Sequence, residues 1–176
     1  ALLERFQRSR RAVVRLDRDP HPFEALRPNA LRLVLKRLAD GGWLRRLERG
    51  AYLVTGPGRI AEHSQLAIAA DWLEGERYVV GGLAALAHWN LIGHSPTTVD
   101  IFLARRKPNV RETHTIFRFI YVPEADLPPA RTVGVAGARA LARVAEPEHA
   151  LIHVVAGRYA TTITVAGEAL RRGLRD

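Results

Sequence analysis

The chain has 176 residues, 47% of them hydrophobic and 26% charged, with a formal net charge of +9. That supply of apolar side chains is enough for a packed core and excludes wholesale disorder. Cysteine is absent, which excludes disulfide scaffolds, thiolate metal sites and cysteine nucleophiles together. No apolar run approaches the roughly 18 residues of a membrane helix, and the arginine-rich opening is no signal peptide, so a cytoplasmic protein without a membrane partner is expected.

The charge is uneven along the chain. Residues 1–58 hold 13 basic and 6 acidic side chains, an excess of seven; residues 59–176 hold 14 and 12, an excess of two. Only Lys36 and Lys107 are lysines. A preference for arginine explains Arg in place of Lys, but not the concentration of cations at one end. A polyanion-binding module in the first third is expected. The run Thr55-Gly-Pro-Gly58 separates the two patterns and sets expected domains at 1–58 and 59–176.

Within the first domain, Leu2, Leu3 and Phe6 recur at helical spacing, and Ala12–Leu16 reads as a short strand. Asp19-Pro-His-Pro22 marks a helix start with Phe23 and Leu26 inward. Pro28 suits the first turn of the next helix, which runs to Asp40 and stops at Gly41-Gly42. In it Leu31, Val34, Leu35 and Leu38 follow the i, i+3, i+4, i+7 spacing of an inner face. The opposite face carries Asn29, Arg32, Lys36 and Arg37, with Leu33 between them and Arg27 just before the helix. Trp43–Leu47 and Ala51–Val54 flank Glu48-Arg-Gly50 as a hairpin with a three-residue loop. Helix followed directly by hairpin is the order of a winged helix-turn-helix. Arginine and asparagine on an exposed helix face can fork onto guanine and adenine in the major groove, and Arg45, Arg46 and Arg49 are placed to meet phosphates.

The second domain reads as mixed α/β. Helices are expected over Glu62–Leu73, Leu83–Leu91, Pro147–Val155 and Ala166–Leu174. Strands are expected over Tyr78–Val80, Thr97–Leu103, Ile116–Val122, Arg131–Val135 and Arg139–Val144, with Arg105–Thr115 a polar hairpin loop. Trp72 and Trp89 are expected in the core of this domain and Trp43 at the base of the hairpin. The whole is α+β: an N-terminal winged helix-turn-helix followed by a small mixed α/β domain.

Leu35–Leu53, with its run Gly42-Trp-Leu-Arg-Arg-Leu-Glu-Arg-Gly-Ala-Tyr52, resembles the AbiEi family of antitoxins. In that family a winged helix ends in a G-W-L-x-R-hydrophobic-x-R-G-x-Y hairpin. Tyr78–Gly82 with Leu83–Leu91, Thr97–Leu103 and Val144–His153 resemble later family segments in the same order. The likeness spans Leu31 to Ala156, with His153 where the family usually has aspartate. It implies the antitoxin of a type IV toxin–antitoxin system that represses its own operon, at inverted repeats in double-stranded DNA. The implied functional partner is a nucleotidyltransferase-like toxin, with no stable complex required.

Enzymatic readings are weaker. Gly81-Gly82 before a strand bearing Asp100 invites comparison with nucleotidyltransferases, which place a glycine-led helix start at phosphates and an Asp-x-Asp strand at two metal ions. Phe102 stands where the second carboxylate belongs, so Asp100 is expected to be a solvent-side strand residue without a metal. A Glu-x-Lys nuclease motif is absent, since Val34 precedes Lys36 and Arg105 precedes Lys107. His149 and His153 share a helix face at i, i+4 but have no evident third ligand, so no metal and no cofactor are expected. The sequence therefore reads as a DNA-binding, non-enzymatic repressor of the antitoxin kind. The alternatives are a degenerate or unusual nucleotidyltransferase acting on nucleic acid and a solitary winged-helix regulator without a toxin.

Overall fold

The computed structural model describes residues 11–18, 23, 25–56, 63–157 and 162–173. The helix expected around Leu2 and Phe6, the helix start at Asp19–Pro22 and the boundary at residue 58 lie outside those residues. Among the described residues, five α-helices and two sheets give a mixed α/β chain of the α+β class. It forms two compact units, Ala1–Glu74 with Gly134–Leu141, and Gly75–Val133 with Ala142–Asp176.

The first unit holds β1 (Val13–Arg15), α1 (Pro28–Asp40), β2 (Leu44–Glu48), β3 (Ala51–Val54) and α2 (Gln65–Trp72). Its strands pair antiparallel in the order β1-β3-β2. Val14, Phe23, Leu35 and Leu44 form the buried centre, and Leu31, Val34 and Leu38 of α1 pack against it. These are the inner-face residues expected from the spacing.

α1 stops for a definable reason. The Gly42 N–H donates to Ala39 O (3.0 Å) and the Trp43 N–H to Leu38 O (2.8 Å), a Schellman closure that needs a left-handed residue between them. Gly42 supplies it at φ +71°. The hairpin turn uses the left-handed Gly50 in the same way, at φ +80°. A register shift between Arg46 and Glu48 breaks the alternation of β2, so Arg45 and Arg46 are both exposed while Leu44 and Leu47 are buried.

α2 begins at Ser64, whose hydroxyl accepts the Ala67 N–H at 3.1 Å. Trp72, expected in the second domain, lies in the first unit. Its indole N–H donates to Glu48 Oε1 at 2.6 Å, and its carbonyl accepts from Arg15 at 2.9 Å. Helical periodicity locates the apolar residues of α2 but does not say which sheet they meet; the carboxylate of Glu48 and the guanidinium of Arg15 decide it. Asp71 beside it is buried. Its carboxylate accepts the backbone N–H groups of Ala12 (2.6 Å), Arg139 and Ala140 (2.9 Å each), so one side chain ties α2 to the start of β1 and to segment 134–141.

The second unit holds β4 (Tyr78–Gly81), α3 (Gly82–His88), β5 (Thr98–Leu103), β6 (Val110–Glu112), β7 (Thr115–Tyr121), β8 (Ala130–Val133), β9 (Ala142–Ala145), α4 (Pro147–Ala156) and α5 (Thr162–Gly173). The six strands lie in the order β6-β7-β5-β4-β9-β8. β5 and β7 pair parallel, in register from Thr98↔Ile116 to Leu103↔Tyr121. A hairpin cannot join parallel neighbours, so the expected loop at 105–115 is instead a crossover. It runs back along β7, with Lys107 over the Phe119 ring and Asn109 accepting the Phe119 N–H, and ends in the short strand β6. The two late strands also shift, to 130–133 and 142–145, because 134–141 belongs to the first unit. α3 closes at Asn90, left-handed at φ 57°.

Candidate nucleic-acid interface

The expected contact residues of the first unit all lie on its surface: Arg27, Asn29, Arg32, Lys36 and Arg37 on and just before α1, and Arg45, Arg46 and Arg49 on the hairpin. At 100° per residue, burying Leu31, Val34, Leu35 and Leu38 turns positions 29, 32, 33, 36 and 37 outward. Asp40, at the C-terminal end of the helix, is the one acid on that outward arc. Pro28 occupies the first helical position, and no acidic side chain lies in the first turn. Arg27, the N-cap, makes no side-chain cap. Arg46 leans along its own strand, Nε donating to Glu48 O at 3.3 Å.

Ion pairing is uneven in both units: Arg15 pairs with Asp17 in the first, and Arg106, Arg111, Arg143 and Arg171 of the second have no carboxylate partner among the described residues. Among the described residues, Arg27, Arg32, Lys36, Arg37 and Arg49 have no carboxylate partner. In the second unit Arg77 pairs with Glu124, Arg105 with Glu76, Arg118 with Asp100, Arg131 with Glu146 and Arg172 with Glu168. Cations whose field is cancelled locally attract a polyanion weakly; those on α1 keep theirs.

Asp100 is not where the sequence reading placed it. Its side chain is 3% exposed, and both oxygens are held by Arg118, from Nε at 2.5 Å and Nη2 at 2.8 Å. Register explains the burial: Asp100 lies directly beside Arg118 on β7 and Gly81 on β4, so the missing Cβ of Gly81 leaves the space above the sheet to its neighbours. A Cβ on Gly81 would come within 2.5 Å of the Phe102 ring and 3.2 Å of His153 Nδ1. Phe102 and His153 fill that space as a tilted pair with centroids 4.3 Å apart. Burial, then the neighbouring His149, lowers the His153 pKa, and Asp100 opposes them. The buried Nδ1 atoms of His149 and His153 have no hydrogen-bond partner among the described residues. No group of three or more His, Asp or Glu side chains among those residues could hold a metal ion. No described helix is long and apolar enough to cross a membrane.

With this geometry in hand, the chain can be set beside known proteins. No family model matches it, and no curated protein does. Among solved structures, the RV2827C protein from Mycobacterium tuberculosis superposes with a TM-score of 0.56 at 19% identity, over 98% of this chain and 75% of that one. The likeness is one of fold.

Arg118 was missed as a site residue, although a signal existed. A charge between two aromatics, Phe117-Arg-Phe119, in a strand that neighbours the Asp100 strand marks a residue that must find a partner. What the sequence hides is the parallel register that sets Arg118 level with Asp100.

Proposed function

We propose that this chain is a DNA-binding repressor of the antitoxin kind, with a winged helix-turn-helix in its first unit and α1 as the recognition helix. The observation that carries the reading is the outward arc of α1, whose cations have no carboxylate partner among the described residues and stand in one unit with an arginine-bearing hairpin. α1 lies in the major groove, with Asn29 and Arg32 at base edges. Arg27 and the helix start face phosphates, and Arg45, Arg46 and Arg49 flank them. The resemblance to AbiEi antitoxins adds the biological setting: control of its own operon at inverted repeats and neutralisation of a nucleotidyltransferase-like toxin.

We read the second unit as non-catalytic. A carboxylate whose charge is already paired by a bidentate guanidinium is a poor ligand for a metal ion, and Phe102 offers no second carboxylate beside it. The test is direct. The full chain should shift a duplex from upstream of its own gene in the presence of excess random DNA. It should incorporate no labelled nucleotide into nucleic acid with Mg²⁺. No shift, or Mg²⁺-dependent incorporation that Asp100→Asn removes, would favour the transferase alternative.

A further inference from the structure

We infer that Leu33 is a specificity residue that reads the 5-methyl group of a thymine in the major groove; the inference rests on the reading of α1 as the recognition helix. Leu33 is 50% exposed and is absent from the core cluster that takes every other large apolar residue of α1. A lone exposed leucine carries no meaning by itself. Its position does. At 100° per residue Leu33 stands near the middle of the outward arc, and its i±3 and i±4 neighbours are Asn29, Ala30, Lys36 and Arg37, all exposed. Any duplex held by those hydrogen-bonding and cationic groups brings base edges onto the isobutyl group.

Within the major groove the one apolar substituent on a base is the thymine methyl; every other feature is a hydrogen-bond donor or acceptor. A leucine at the centre of the reading face therefore selects by two effects together. It gains contact with a methyl group, and it leaves a polar edge placed opposite it without a partner. The exposed methyl of Ala30, one turn away, extends the same apolar strip. The surrounding cations supply affinity that does not depend on sequence, so Leu33 is free to discriminate.

The experiment selects a preferred duplex from a randomised pool with the full chain, then replaces each thymine singly by uracil, which removes only the methyl group. The expected result is one thymine per half-site whose replacement weakens binding about fourfold, the factor for one buried methyl-sized group. Leu33→Ala should bind the thymine duplex more weakly and be indifferent to that uracil. Lys36→Ala should bind more weakly yet keep the uracil sensitivity. Leu33 is exposed, so unchanged thermal melting of Leu33→Ala should accompany these results. Insensitivity of the wild type to every uracil, or a Leu33→Ala variant that keeps the sensitivity, overturns the inference while DNA binding stands. Failure to select any duplex overturns the reading of α1 itself, and this inference with it.

Discussion

Two side chains with the same formal charge illustrate how environment assigns a role. Arg32 is exposed and has no carboxylate partner among the described residues, whereas Arg118 is locked onto Asp100 and held more basic by that hydrogen-bonded carboxylate. Replacing Asp100 by Ala should therefore lower stability by about 1.5–3 kcal/mol, the range for a hydrogen bond to a charged group, reduced by the partial exposure of Arg118. Urea unfolding would show it as a shift in midpoint with unchanged slope. A loss of less than about 0.5 kcal/mol would mean the pair is idle. On α1 the expected division is between reading and positioning. Asn29→Ala or Arg32→Ala should reduce discrimination between operator and random DNA by about 1–3 kcal/mol, while Arg49→Ala should weaken both targets alike. Competition binding with all three variants checks this, and identical behaviour would mean the recognition helix is misplaced.

At the scale of elements, the join between α2, β1 and segment 134–141 rests on Asp71. Removing its carboxylate leaves three backbone N–H groups in search of acceptors, each costing about 1 kcal/mol or more when buried. Asp71→Ala should destabilise the chain by about 3 kcal/mol or more and expose the amides of Ala12, Arg139 and Ala140 to hydrogen exchange. Retained protection at those amides would show that other contacts hold the join. Elements whose determinants are local were legible in the sequence. Leu31, Val34, Leu35 and Leu38 define the inner face of α1, Gly41-Gly42 its end, and Gly50 the hairpin turn. Those set by distant partners were not. Nothing local in 105–115 says that β5 and β7 lie parallel, and nothing in α2 says that Trp72 will find Glu48 rather than the second sheet. The candidate interface was legible for the same reason as α1, because amphipathic spacing turns residues 29, 32, 36 and 37 outward wherever the helix packs. The Asp100–Arg118 pair was hidden, because it depends on register across two strands separated by a crossover.

Two titrations belong to the molecule as a whole. His63, His88 and His153 are each held below the ordinary imidazole value, chiefly by burial. The unfolded chain, titrating near 6.5, then binds more protons than the folded one in the window below that value. Their neutral forms thus support the fold fully above about pH 6.5, and that support is lost as pH falls through the lowered values. The melting temperature should drop between about pH 7.5 and about pH 5.5, by less in His153→Gln, and a flat or rising profile would contradict the burial of these rings. The second titration is with salt, and it bears on function. If Arg32, Lys36, Arg37, Arg45, Arg46 and Arg49 all meet the duplex within range of its phosphates, Arg32 while it reads a base edge, the binding constant for duplex DNA should fall with salt at a log–log slope near about −5. The Arg32→Ala/Lys36→Ala/Arg37→Ala variant should flatten that slope by about three. Fluorescence anisotropy on one labelled duplex across a salt series, for the full-length wild type and this variant, measures both. A slope near zero, or a steep slope that the triple substitution leaves unchanged, would show that the cationic face of α1 is not where this protein meets DNA.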